Sequence, residues 1–163
     1  MGAKRLSAVL KISIPEASGL LRSYFLTFPK IAKLIKDFTD SAEDLRYAFS
    51  PLDGRRRDLS SMDFDNPKHH SHAMNIAKNL PFQGTGSSVT KRALWKTSES
   101  IRDNKYDAMI INAVHDEILL EVHKDEVDEV AGMLSLEMIK AFNHYAPSVP
   151  MEVEPVIGDC WIH

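Results

Sequence analysis

At 163 residues, 44% hydrophobic and 26% charged, the chain has the make-up of one soluble globular domain or a large piece of a bigger one. No apolar run approaches the ~18 to 20 residues of a membrane span, no signal-peptide layout opens the chain, and the lone Cys160 excludes an internal disulfide and favours a reducing compartment. The net charge of −3 hides a split: residues 1–106 carry 18 Lys and Arg against 11 Asp and Glu, while residues 107–163 carry 2 against 12, so a basic part suited to phosphates precedes an acidic part suited to a cation or to plain solubility.

Ser13-Ile14-Pro15-Glu16 reads as a helix start, with Ser as N-cap, Glu three residues on and Pro in the first turn. Leu20, Leu21, Tyr24, Phe25 and Phe28 then recur at helical spacing until Pro29. A second amphipathic helix follows, with Ile31, Leu34, Ile35 and Phe38 on one face and Lys30, Lys33 and Lys36 on a solvated one. Phe49 to Arg57 reads as a hairpin turning at Asp53-Gly54. Arg55, Arg56 and Arg57 cannot all face a core, and either solvent or phosphate meets them. Residues 58–72 are polar and turn-rich. His69, His70 and His72 lie close in sequence there, yet without Cys or a matched second cluster they read as a mobile loop and not as a zinc site.

A helical segment is expected from Ser71 to a break around Pro81 and Gly84, and another from Ser87 to about Arg102. Asn79 and Gln83 stand four apart and would share a face on a continuous helical path. Capping at the Pro-Gly break competes with any contact role for them, more strongly for Asn79.

Residues 107–122 then give two apolar, β-branched-rich runs around His115-Asp116-Glu117, the pattern of a buried β-hairpin with its turn at those three residues. No Gly is present to supply positive φ. Two adjacent carboxylates at an apolar tip repel, and a divalent cation such as Mg²⁺ would offset that; an acidic solvated turn is the plain alternative. A helix is expected over Lys124 to Phe142, its acidic start favoured by the helix dipole. Val149 to Ile157 reads as a last strand, at an edge because of Pro150 and Pro155.

Val114-His115-Asp116-Glu117-Ile118 between two hydrophobic strands resembles a motif of the family A DNA polymerases, the bacterial DNA polymerase I type. The resemblance extends through Asn79-Leu80-Pro81-Phe82-Gln83-Gly84-Thr85, Gly54-Arg55-Arg56-Arg57, Glu121 to Asp128, Val149 to Glu154, Gly158 and Trp161, in the family's order and at comparable spacing. It implies an α+β fold: an antiparallel palm sheet, made of the catalytic hairpin 107–122 and a strand at 151–157, backed by helices, with a helical fingers portion. Residues 1–70 would be the remainder of the fingers and 71–163 the palm portion.

The resemblance also implies roles. Asp116 would hold catalytic Mg²⁺, Glu117 would be a weaker carboxylate ligand or support, and His115 would touch the primer terminus. Gln83 and Asn79 would sense minor-groove acceptors, and Arg55, Arg56 and Arg57 would meet the DNA backbone or tie the fold. Partners would be primer-template DNA and deoxynucleoside triphosphates, with no membrane, in the cytoplasm of a bacterial or phage-infected cell or in an organelle. Met1 to Leu6 resembles the segment just after the family's nucleotide-binding helix, so that helix and the other palm Asp would come from a second polypeptide or an N-terminal region. The chain's end near Trp161 matches that of family members. Met74 and Asn75 stand about where the family often has a Glu-Arg pair, so the resemblance does not imply a phosphate contact there. An inactive DNA-binding remnant and an independent metal-dependent phosphohydrolase using His115, Asp116 and Glu117 are the competing readings.

Overall fold

The structure is a computed structural model that describes residues 2–161. It is a mixed α/β chain of five helices and two two-stranded antiparallel sheets among the described residues. Two compact units divide it, Met1–Ala48 with Asp58–Lys78 and Phe49–Arg57 with Asn79–His163. Met1, Ile162 and His163 lie outside the described residues.

The first unit holds α1 (Ala3–Leu10), α2 (Ile14–Thr27) and α3 (Pro29–Leu45). Ser13 starts α2 as expected: its hydroxyl accepts the Glu16 N–H, and the Glu16 carboxylate accepts the Ser13 N–H at 2.9 Å. The Ser13 hydroxyl, which also donates to the Glu16 carboxylate at 2.7 Å, and then the Ser13 N–H hold that carboxyl below the usual range. Pro29 ends one helix and begins the next, because a missing N–H costs nothing in a first turn. Lys33–Asp37 and Lys36–Asp40 pair along the exposed face of α3. Ala17, Phe38, Ala42, Leu59, Ala73, Met74 and Ala77 are buried. Tyr24, Phe25 and Phe28 stay exposed and pack ring against ring. His70 Nε2 meets the Glu43 carboxylate at 2.6 Å.

Strands β1 (Tyr47–Phe49) and β2 (Arg56–Asp58) pair as the stem of the expected hairpin, with Gly54 at φ 71° in its loop. Helix α4 (Pro67–Asn104) then runs unbroken for 38 residues. This corrects two expectations. The loop read over residues 58–72 ends at Asn66, and the helix does not break at Pro81 and Gly84. Proline in a helix interior removes one hydrogen bond and costs about 3 kcal/mol. Packing of the β1–β2 loop against this stretch offsets that loss. The Thr85 hydroxyl donates to the Pro81 carbonyl at 2.6 Å, and the buried Ser50 hydroxyl lies 3.1 Å from that of Thr85. Gly84 is buried. Local propensity is overruled here by tertiary contact.

In the second unit β3 (Ala108–Val114) and β4 (Glu117–Val122) form the expected antiparallel hairpin. The register slips at Ile111, where Ile110 faces Leu120 and Asn112 faces Leu119, so one extra residue bulges out of β3. Ile118, Ile110 and Leu120 meet Ala93, Val89 and Leu94 of α4, and Ala141, Leu134 and Met138 of α5 (Val127–Tyr145), in one core. Helix α5 starts three residues later than expected, after a turn. Glu126 stands at the N-cap position, where its carboxylate accepts the Asp107 N–H at 2.8 Å rather than capping the helix, while Glu129 accepts the Tyr106 hydroxyl at 2.7 Å. The acidic run therefore ties the base of the hairpin to the helix.

The strand expected over 149–157 is absent: residues 151–158 carry no regular structure. Pro150 and Pro155 cannot donate to a ladder, and the exposed Val156 and Ile157 bury no face that would select a register. The β3–β4 sheet has no third strand among the described residues.

Candidate functional site

Every residue singled out for contact or chemistry falls in the second unit. His115 and Asp116 make the hairpin turn, and Glu117 is the first residue of β4, opposite Val114, rather than part of the turn. Val114–Glu117 pairing leaves a two-residue connection, which needs positive φ at its first position. His115 supplies it at φ 54°, in place of the glycine that the sequence lacks. All three side chains are exposed. Asp116 and Glu117 also line an open cleft of about 880 Å³ bounded by β4, α5 and residues 151–161.

Helix α4 supplies a second set. Because it is continuous, Asn79 and Gln83 share one face, and both are exposed. Neither caps a helix end, since no end lies near them. Two turns on, the Thr90 hydroxyl donates to the His115 carbonyl at 3.2 Å, which fixes the hairpin tip against this face of the helix.

The arginines separate. Arg56 and Arg57 lie on β2, exposed, whereas Arg55 is half-buried and pairs through Nε with Asp53 Oδ2 at 3.1 Å. Asp53 also takes a 2.8 Å bond from the Ser88 hydroxyl of α4. Sequence reasoning missed Asp53 and Thr90. Asp53 read as turn chemistry, and Thr90 carried no signal short of knowing which helix face meets the hairpin.

No set of three or more His, Cys, Asp or Glu side chains stands together for a metal among the described residues. Asp116 and Glu117 have the oxygen chemistry that Mg²⁺ takes but supply only part of a ligand set. No described helix is long and apolar enough to cross a membrane.

The family model for DNA polymerase family A matches residues 1–163. The chain is 33% identical over 162 residues to a thermostable DNA polymerase I of Thermus thermophilus, covering 99% of this chain and 19% of that protein. It is 31% identical over 161 residues to DNA polymerase I of Mycobacterium leprae, covering 99% and 17%. The POL domain of Pol1 from M. smegmatis, solved in complex with DNA primer-template and dNTP, superposes with a TM-score of 0.79 at 32% identity, over 86% of this chain and 24% of that one. The chain thus spans under a fifth of the length of these curated relatives.

Proposed function

The chain belongs to DNA polymerase family A, and on that premise we propose that it is a C-terminal portion of a DNA-directed DNA polymerase, working in template-directed nucleotidyl transfer. The observation that carries this reading is the joining of the His115-Asp116 turn, through Thr90, to the face of α4 that bears Asn79 and Gln83. A carboxylate for the reacting phosphates and amides for a duplex groove then belong to one compact unit.

On this reading the substrates are primer-template DNA and deoxynucleoside triphosphates. Asp116 would hold Mg²⁺ with ligands from outside the described residues, and Glu117 would assist from β4. An Mg²⁺ held there would supply Lewis-acid chemistry, lowering the pKa of a primer 3′-hydroxyl and stabilising charge on pyrophosphate, in the manner of two-metal sites. His115, held by its carbonyl, orients the primer terminus. Asn79 and Gln83 each offer a donor and an acceptor to minor-groove acceptors present on every base pair. Arg55, Arg56 and Arg57 face backbone phosphate. Residues 1–70 correspond to fingers and 71–163 to palm. A region carrying the second metal-binding Asp and the nucleotide-binding helix completes the site.

Primer extension tests the assignment. The chain reconstituted with that region should extend a primer, and Asp116→Asn should cut turnover by at least about 10²–10³ while duplex affinity holds or rises as repulsion from phosphate falls. Glu117→Gln should be milder. Near-normal turnover in Asp116→Asn would remove the metal from that carboxylate.

A further inference from the structure

Asp53 is the most enclosed carboxylate near the candidate site, with a side chain only 2% exposed in a loop that is otherwise largely solvated. A buried carboxylate is costly unless its charge is answered. The Ser88 hydroxyl donates to Oδ2 at 2.8 Å, the Arg55 N–H donates to Oδ1 at 3.3 Å, and Arg55 Nε reaches Oδ2 at 3.1 Å. Burial pushes the carboxyl up, but the Ser50 and Ser88 hydroxyls, the Arg55 N–H and the Arg55 charge together hold it below the usual carboxylate range.

The consequence falls on Arg55. Its Nε is committed to Asp53, yet its side chain stays 37% exposed, so an orientation is set without enclosing the group. A Cβ added to Gly84 would lie 3.7 Å from both Arg55 Cδ and Asp53 Oδ2. The pair therefore rests on α4 at the residue after Gln83. Phosphates flank a groove edge, and a planar guanidinium matches phosphate geometry.

We propose that Asp53 is a positioning residue that fixes the Arg55 guanidinium beside Gln83 as a contact for a backbone phosphate of a nucleic-acid duplex. The proposal rests on the reading of Gln83 as a groove contact. Because the Asp53 charge is enclosed and neutralised by Arg55, it does not repel the phosphate it helps to bind.

Binding of the full 163-residue chain to a fluorescent primer-template duplex, by anisotropy across a salt series, tests this. Arg55→Ala should lower the slope of log affinity against log salt by about 0.9, the signature of one lost phosphate contact. Asp53→Asn should weaken binding severalfold with a similar loss of slope, although it removes a negative charge. The double variant should lose no more than Arg55→Ala. Unchanged or tighter binding by Asp53→Asn, or additive losses in the double variant, would overturn the positioning role. If a thermal melt shows that Asp53→Asn does not fold, Ser88→Ala decides: an affinity loss that vanishes in the Arg55→Ala background supports the role, and no loss overturns it. Failure of the unaltered chain to bind the duplex would overturn the groove reading itself, and the positioning role with it.

Discussion

The Thr90 hydroxyl donates to the backbone carbonyl of His115 across 3.2 Å, and so links helix α4 to the hairpin tip one residue before Asp116. Thr90 lies seven residues after Gln83, close to two full helical turns, so both occupy one face. The same hydroxyl lies 3.2 Å from the Gly86 carbonyl. A hydroxyl has one proton, so the two carbonyls share it. The link to His115 is therefore adjustable, and it acts on a residue already in the left-handed region at φ 54°.

Thr90→Val removes that donor while keeping shape. In the reconstituted polymerase, single-turnover incorporation should slow severalfold with little change in duplex affinity, and stability should fall by no more than about 1 kcal/mol, as for one exposed hydrogen bond. Thr90→Ser should restore the rate. Equal loss in both variants would show that the methyl group, and not the hydroxyl, matters.

Gln83→Ala should weaken incorporation on all four templating bases alike. Minor-groove acceptors do not distinguish A·T from T·A, so an amide that reads them cannot select sequence. Incorporation rates opposite each base measure this. A defect confined to one base pair would indicate direct readout and remove the assignment.

Acid should destabilise the second unit through Asp53. Its carboxyl is held below its ordinary value in the folded chain, while in the unfolded chain it titrates near about 3.9. The stabilisation is therefore present above the unfolded pKa and is lost as pH falls from there through the lower folded value. Thermal midpoints followed from about pH 6 down to about pH 2 should fall at the acid end. Asp53→Asn should start lower and flatten that limb. A parallel curve for the variant would place the acid sensitivity elsewhere, for example at Glu16 or Asp58, whose carboxyls are also lowered by hydrogen bonds.

Thr97 is fully buried in α4 and its hydroxyl has no hydrogen-bond partner among the described residues. Thr97→Val keeps the shape and removes the orphaned group, so it should stabilise by about 1 kcal/mol and raise the midpoint by about 2–4 °C for a chain of this size. Calorimetry or a circular-dichroism melt reads this directly, and a lowered midpoint would mean that the hydroxyl is satisfied in solution.

Several features were legible from local pattern. Ser13 and Glu16 give the start of α2 because a capping box is local chemistry. The hairpin 107–122 follows from two β-branched runs around a polar step, and α3 from apolar residues at helical spacing. The family resemblance carried by Val114 to Ile118 and by Asn79 to Thr85 was legible too, since it lies in residue order and spacing.

Other features depended on partners distant in sequence. Pro81 and Gly84 look like a break, but contacts from the 50–57 loop stabilise a helix that propensity alone would end. Val149 to Ile157 looks like a strand, but a strand exists only where a neighbour accepts its ladder and a core buries one face, and neither is present for this segment.

The order and spacing of residues determined by themselves that the chain carries an Asp-tipped hairpin and the Asn79 and Gln83 amides in the manner of a family A polymerase, but not that one unbroken helix holds both amides. The tertiary structure alone decided that Thr90 joins those two elements and that the buried Asp53 holds Arg55 against α4. The reason is physical: a capping box or a hydrophobic period acts over a few residues, whereas burying a carboxylate or orienting a carbonyl depends on groups 25 and 35 positions away meeting in space.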